Sequence, residues 1–358
     1  MKVYEFRSEQ QSAHALGKAI GERWAKEIQH TTALYLDFFS RTGIDTREVR
    51  RIGEDSLSAL EAWCPHLASE VVATAAGAGL PTWQLASLNA RTEIMAIMPA
   101  SQEGECSTAI YAPAGSAAPQ TIQTWDWHDS LTPHGLMLQF IARTGFNVKL
   151  FTEFGILGKI GVNSAGIGLH FNILHHESDN GSGGVPVHAI ARRILEEASS
   201  VQQAIDIARS AAVSASTVLS VFSAEDAPLR AASIEMCPAR VAVVPPNQNS
   251  WLLHTNHFLA PELEPGERTP DVSTTYERLA HVRAMQHSME NRPARQRAAA
   301  MCGMAGSEAP ICFIPDMSLP DTERWETLLT IAIDCRSGEL EYAAGHPQYF
   351  ADNGSIHF

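Results

Sequence analysis

Gly104-Glu105-Cys106-Ser107-Thr108 separates two textures of sequence, and the fold is read outward from it. Before it, from Ser8 to about Pro99, apolar residues recur at three- and four-residue steps: Ala15, Leu16, Ile20 and Trp24, then Leu85, Leu88 and Ala90 through Met98. That periodicity predicts a helix-rich N-terminal part. After it come β-type runs separated by Gly, Pro and Asn: Thr121–Trp127, Gly135–Ala142, Val148–Glu153, Leu157–Asn163 and Gly166–Phe171. Two helices follow, His188–Ala198 and one to about Ala212 that Ser200-Val201-Gln202-Gln203 starts in the form of a capping box. Strands resume at Thr217–Ser223, Leu229–Met236, Arg240–Val244 and Trp251–His254, and again at Thr327–Asp334 and Glu339–Ala343. Phe258–Thr274 is a Pro- and Glu-rich loop, and Tyr276–Ala300 is helical with an interruption at Pro293. Strands, helices, then strands predict two antiparallel sheets with helices outside them.

The 358 residues are 45% hydrophobic and 18% charged, enough for a large packed core. A net charge of −14 with only five lysines leaves no basic stripe for a phosphate backbone, so nucleic acid is not an expected partner. Apolar stretches such as Val71–Leu80 are far shorter than the roughly 20 residues that cross a bilayer as a helix, so no membrane is expected either. The start, MKVYEFRSEQ, lacks the basic-then-apolar order of a signal peptide, which predicts a cytoplasmic location. The six cysteines are scattered without a CxxC pair, and neither zinc nor disulfides are expected.

Within this frame a few residues invite chemistry. Cys106 sits at the junction, although a lone intracellular cysteine is commonly a small buried hydrophobe. Gln123-Thr124-Trp125-Asp126-Trp127 places a carboxylate between two tryptophans inside a strand, where a core-facing Asp126 needs a cation or hydrogen-bond donors. An α-ammonium group would serve. Trp125 and Trp127 share a face, either in core packing or as a pocket lining. Asn163, before a Gly-containing turn, is either a turn residue or part of a site. Asn256, within His254-Thr255-Asn256-His257-Phe258, is a neutral donor at a strand end, of a kind suited to an oxyanion. The histidines 170, 175, 176 and 188 cluster in sequence, but neither HExxH nor His-x-His occurs, and adjacent His175 and His176 would point to opposite faces; a metal-dependent amidohydrolase is disfavoured and no metal site is assigned.

Taken in order, these fragments resemble the acyl-coenzyme A:6-aminopenicillanic acid acyltransferase (isopenicillin N acyltransferase) family of N-terminal nucleophile hydrolases, related to choloylglycine hydrolases and penicillin V acylases. The set comprises Leu88-Asn89-Ala90-Arg91-Thr92-Glu93, Glu105-Cys106-Ser107-Thr108, Gln123-x-Trp125-Asp126-Trp127 and Gly161-Val162-Asn163-x-x-Gly166. It continues with Arg192-x-Ile194-Leu195, His254 to Phe258, and Thr330-x-x-x-Asp334-x-x-x-Gly338-x-Leu340.

The resemblance implies an α+β fold, a four-layer αββα sandwich. It implies cleavage between Glu105 and Cys106, with residues 1–105 as a pro-segment that stays bound as the small subunit and 106–358 as the catalytic region. Cys106 would then supply both nucleophile and, through its freed α-amine, the base. Asp126 would hold the ammonium; Asn256, with the backbone near Asn163, would bind the oxyanion. Gln123, Trp125, Trp127, Phe258 and Arg278 would contact a small-molecule substrate. The implied reaction is hydrolysis of a linear amide through a thioester, with acyl transfer to an amine as a second outcome; no cofactor is expected. A heterodimer of the two fragments, able to pair into a homo-oligomer, is the implied assembly. This chain departs from the family pattern at Glu105, where Gly is expected, at Thr124, where the acyltransferases carry Asn, and at Arg278, whose spacing is shifted. An uncleaved family member acting as a small-molecule binding protein is the alternative.

Overall fold

The computed structural model describes residues 1–98, 106–115, 118–269 and 273–358. Glu105, the expected residue before the cleavage point, lies outside them. The chain begins with β1 (Lys2–Arg7) and continues through α1 (Ala13–Arg23), α2 (Ala25–Arg41), α3 (Thr46–Trp63), α4 (Pro65–Gly77), α5 (Thr82–Asn89) and α6 (Arg91–Met95). Short polar side chains start two of these helices: Ser12 accepts from the Ala15 amide and Asp45 from that of Arg47, each satisfying an otherwise orphaned N–H.

Six strands follow: β2 (Ser107–Tyr111), β3 (Gln120–Trp127), β4 (His134–Ile141), β5 (Asn147–Glu153), β6 (Ile160–Asn163) and β7 (Ile167–Ile173). Next come α7 (Val187–Glu197), α8 (Val201–Arg209), β8 (Thr217–Ser223), β9 (Ala231–Cys237), β10 (Arg240–Val244) and β11 (Trp251–His254). The last part holds α9 (Thr275–Met289), α10 (Ala294–Cys302), β12 (Glu326–Asp334), β13 (Glu339–Ala343), α11 (Pro347–Asn353) and β14 (Ile356–His357). Pro293 caps α10, where its missing N–H costs nothing. At α8, Ser200 accepts from the Gln203 amide as expected, but Gln203 reaches back to the Ser199 amide, one residue earlier than a strict capping box.

The strands form an eight-stranded sheet, ordered β1-β4-β5-β6-β7-β8-β9-β10, and a six-stranded sheet, ordered β11-β2-β3-β12-β13-β14. Their inner faces meet where β2 touches β7 and where β13 touches β5 and β6. Helices α7 and α8 cover the outer face of the larger sheet, and α9, α10 and α11 that of the smaller one, giving an α+β architecture of four layers, αββα. Strands covered on both faces lose the alternation of exposed and buried positions, and every residue of β7, β8 and β9 is buried, the polar His170, Asn172 and Glu235 included. Gly168 in β7 is required by this packing, since a Cβ there would meet the Phe222 ring at 2.2 Å.

One expectation is corrected: the larger sheet is not wholly antiparallel, because β1 pairs parallel with β4. The N-terminal helices belong to the same core as the sheets, with Ile28, Leu67 and Leu88 in one apolar cluster with Phe151, Val162 and Leu195. No helix among the described residues is long and apolar enough to cross a membrane.

Candidate active site

Cys106 stands immediately before β2, the strand between β11 and β3 in the smaller sheet, and is 3% exposed. Three elements converge on its backbone. Asn256, just beyond β11, accepts the Cys106 N–H on Oδ1 at 2.7 Å. From β7 in the facing sheet, Asn172 Nδ2 donates to the Cys106 carbonyl oxygen at 3.1 Å. Arg278, on the first turns of α9, donates from Nη1 to the same oxygen at 2.7 Å and from Nη2 to Asn256 Oδ1 at 3.0 Å. The Cys106 thiol lies 4.0 Å from the Asp126 carbonyl oxygen on β3.

The Asp126 carboxylate is tied to β2 through Thr124. The Thr124 hydroxyl accepts the Ser107 N–H at 3.1 Å and donates to Asp126 Oδ2 at 3.2 Å. Burial, reinforced by the Asp126 charge, pushes the Cys106 thiol up to about 12, against the opposing pull of Arg278 and Lys159. Such a thiol is protonated at neutral pH and becomes a nucleophile only if a nearby base takes its proton.

Gln123 organises the layer between the sheets. Its Nε2 donates to Thr108 Oγ1 at 3.0 Å, the Phe171 carbonyl at 2.8 Å and Asn172 Oδ1 at 3.1 Å, while Oε1 pairs with His170 Nδ1 at 2.9 Å. Because Thr108 also donates to Asn172 Oδ1, at 2.8 Å, the Asn172 amide is oriented with its nitrogen toward Cys106.

Beneath the site is a buried charge cluster that joins the two halves of the chain. Arg91 Nη2, from α6, donates to Glu153 Oε1 at 2.8 Å, and Lys159 donates to the same oxygen. Tyr35 from α2 donates to Glu153 Oε2 at 2.6 Å and receives the Trp127 indole N–H at 2.8 Å. Burial opposes ionisation of Glu153, but the charges of Arg91 and Lys159 outweigh it and hold the carboxyl well below its ordinary range. The Lys159 ammonium also lies over the Trp125 ring, 3.6 Å from its centroid.

The structure brings Cys106, Asp126, Asn256, Gln123 and Arg278 together, but not every residue singled out from sequence. Asn163 is elsewhere. Its side chain donates to the carbonyls of Leu195 and Ala198 and accepts from the amides of Ala165 and Ile167, closing the β6–β7 turn against the end of α7. Ile167 starts β7, whereas Ile173 at its far end receives Asn256 Nδ2 at 2.9 Å. Six residue steps at about 3.3 Å put Asn163 roughly 20 Å from the Cys106 end of the strand. Its place beside Cys106 is taken by Asn172, a polar residue in a fully buried strand.

Phe258 also turns away from Cys106, into a satellite core with Leu174, Val218, Cys237 and Leu263. Trp125 packs on Phe151, and Trp127 lines a narrow, mostly apolar recess with Thr92, Met95, Ile173 and Leu174. The histidines near residue 175 are separated: His170 serves Gln123, His188 stacks on Phe171, and His176 pairs with Ser178.

Over 273 residues the chain is 29% identical to the acyl-coenzyme A:6-aminopenicillanic-acid-acyltransferase 40 kDa form of Emericella nidulans, covering 74% of this chain and 72% of that protein. Among solved structures, a mutant conjugated bile acid hydrolase from Clostridium perfringens matches 70% of this chain and 92% of its own, with a TM-score of 0.48 at 11% identity. Penicillin V acylase from Agrobacterium tumefaciens matches 67% of this chain and 83% of its own, with a TM-score of 0.40 at 14% identity. Residues 115–349 match the family model described as acyl-coenzyme A:6-aminopenicillanic acid acyl-transferase, and the chain belongs to that family.

Proposed function

We propose that the protein is a self-processing hydrolase of linear amides whose nucleophile is an N-terminal Cys106, with transfer of the acyl group to an amine when an amine replaces water. The observation that carries this reading is the convergence on Cys106: its nitrogen meets Asn256 Oδ1 at 2.7 Å, its thiol lies 4.0 Å from the Asp126 carbonyl, and its own carbonyl is held by Asn172 and Arg278. That arrangement fixes both nitrogen and sulfur of one residue, which is what a residue acting as nucleophile and base requires.

In the proposed reaction, cleavage before Cys106 frees its α-amine, whose ordinary pKa of about 8 suits proton transfer near neutrality. The amine takes the thiol proton, and the sulfur attacks the substrate carbonyl carbon. Asn256 and Asn172 each have an Nδ2 hydrogen beyond the one used on Ile173 or on Cys106, and these serve the tetrahedral oxyanion. The ammonium, held by Asp126, returns its proton to the leaving amine. Water or a second amine then attacks the thioester, and the Cys106 amine removes the proton from the attacking group. Residues 1–105 remain bound after cleavage, which is consistent with the shared core and with the buried pairs Arg91–Glu153 and Glu70–Arg192.

Denaturing intact-mass measurement of freshly purified wild type beside Cys106→Ala tests the reading, together with an amide-hydrolysis screen. The expected result is a wild type parted before Cys106 and active, and a variant that is whole and inactive. A wild type that stays whole and inert would overturn the proposal in favour of an uncleaved binding protein.

A further inference from the structure

Cys302 ends α10, and Cys312 follows a turn-rich stretch of nine residues that brings the two sulfurs to 3.6 Å. Within that stretch Gly303 and Gly306 adopt φ of 61° and 56°, a region that favours glycine, so the backbone doubles back without the penalty other residues would incur. Cys302 is fully buried in the apolar cluster under α9 and α10, whereas Cys312 is partly exposed at its margin. Their surroundings differ: the Cys302 sulfur is enclosed by apolar side chains, whereas that of Cys312 reaches the surface. Cys312 is thus the sulfur that a dissolved oxidant meets first.

We propose that Cys302 and Cys312 form a thiol modification site, at which a peroxide is reduced and an intramolecular disulfide closes. The Cys312 thiolate attacks one peroxide oxygen, the O–O bond breaks, and the departing hydroxide leaves as water after protonation. The resulting sulfenic acid faces the Cys302 thiol at contact distance. Cys302 sulfur attacks the Cys312 sulfur, the S–O bond breaks, and the Cys302 proton leaves with that oxygen as a second water. Two thiols are oxidised by two electrons in all, and one peroxide is reduced to two waters.

The site borders the catalytic machinery. Phe313, the next residue, exchanges backbone and side-chain hydrogen bonds with Thr327, the β12 residue paired with Asp126. Its ring lies 5.9 Å from the Arg278 guanidinium. None of the residues assigned to the proposed amide chemistry takes part in the thiol reaction.

The test treats wild type, Cys312→Ser and Cys302→Ser with hydrogen peroxide, unfolds each in an alkylating reagent and maps the peptides by mass. Of the six free thiols, wild type is expected to lose two, with the peptides of Cys302 and Cys312 joined by a bond that dithiothreitol reverses. Neither serine variant should form a cross-link. Because Cys312 is the less buried of the two, its serine variant remains informative if Cys302→Ser fails to fold. A wild type that keeps all six thiols, that joins other cysteines, or that stops at oxidised Cys312 without involving Cys302 would overturn the proposal. The readout is independent of amide turnover, so either result leaves the hydrolase reading to its own test.

Discussion

The guanidinium of Arg278 reaches the carbonyl oxygen of Cys106 at 2.7 Å across 172 positions of sequence. The same group donates to Ser107 Oγ at 3.1 Å and to Asn256 Oδ1 at 3.0 Å, so one planar fork sets the Cys106 backbone against the residue that receives its nitrogen. A lysine keeps the charge but not the fork. Arg278→Lys should therefore lower amide turnover by roughly 10- to 100-fold, the equivalent of one charge-assisted hydrogen bond of about 1.5–3 kcal/mol. Steady-state kinetics with an amide substrate check this, and unchanged turnover would remove Arg278 from the site.

Asn172 is oriented by Gln123 and Thr108 so that its nitrogen faces Cys106. If that nitrogen also serves the oxyanion, Asn172→Ala should reduce kcat by about 10²–10³-fold with a much smaller change in KM. A loss confined to KM would instead make Asn172 a substrate contact.

Asn163 and Asn172 show where the sequence stops being legible. Asn163 ends β6 and Asn172 lies near the far end of β7, and a strand buried on both faces has no polar alternation to reveal which end approaches Cys106. Cys106, Asp126 and Asn256 were readable because each is chemically conspicuous where it stands: a cysteine at a change of texture, a carboxylate inside a strand, an amide at a strand end. Arg91, Glu153 and Lys159 were equally visible as charges in apolar surroundings, but their pairing spans 62 positions and depends on packing of the N-terminal helices against β5. The parallel pairing of β1 was hidden for the same reason: Lys2 meets His134, and no local pattern announces so distant a partner.

Glu153 accepts from Arg91, Lys159, Tyr35 and Thr132 with no exposed surface. Glu153→Gln keeps the shape but leaves the buried Arg91 cation, and a Lys159 that burial already holds down to about 7, facing a neutral amide. Removing one partner of a buried ion pair costs about 3–5 kcal/mol, and a shift of that size in urea unfolding is expected. On the proposed cleavage Arg91 falls in the N-terminal fragment and Glu153 and Lys159 in the other, so the variant should also loosen that fragment. Size-exclusion chromatography of cleaved protein in mild urea would show the fragment leaving earlier than in wild type; retention at the wild-type concentration would count against this cluster as the fastening.

Glu93 gives the stability a pH dependence of defined sign. Its Oε1 accepts the Val187 N–H at 2.8 Å, while Oε2 has no hydrogen-bond partner among the described residues. Burial pushes the carboxyl up to about 8, against the opposing help of the Val187 N–H. Between the unfolded value of about 4.5 and this folded one, the folded protein holds a proton that the unfolded chain has released. The unfolded state therefore binds fewer protons, and stability contributed by this group falls as pH rises from about 4.5 to 8, levelling above the folded value. Glu93→Gln retains a carbonyl for Val187 and cannot ionise. Its advantage over wild type in denaturant unfolding should grow from near zero at acid pH to a few kcal/mol, by order of magnitude, above pH ~8. Parallel pH profiles for the two proteins would mean that Glu93 ionises in the folded state as readily as in the unfolded chain.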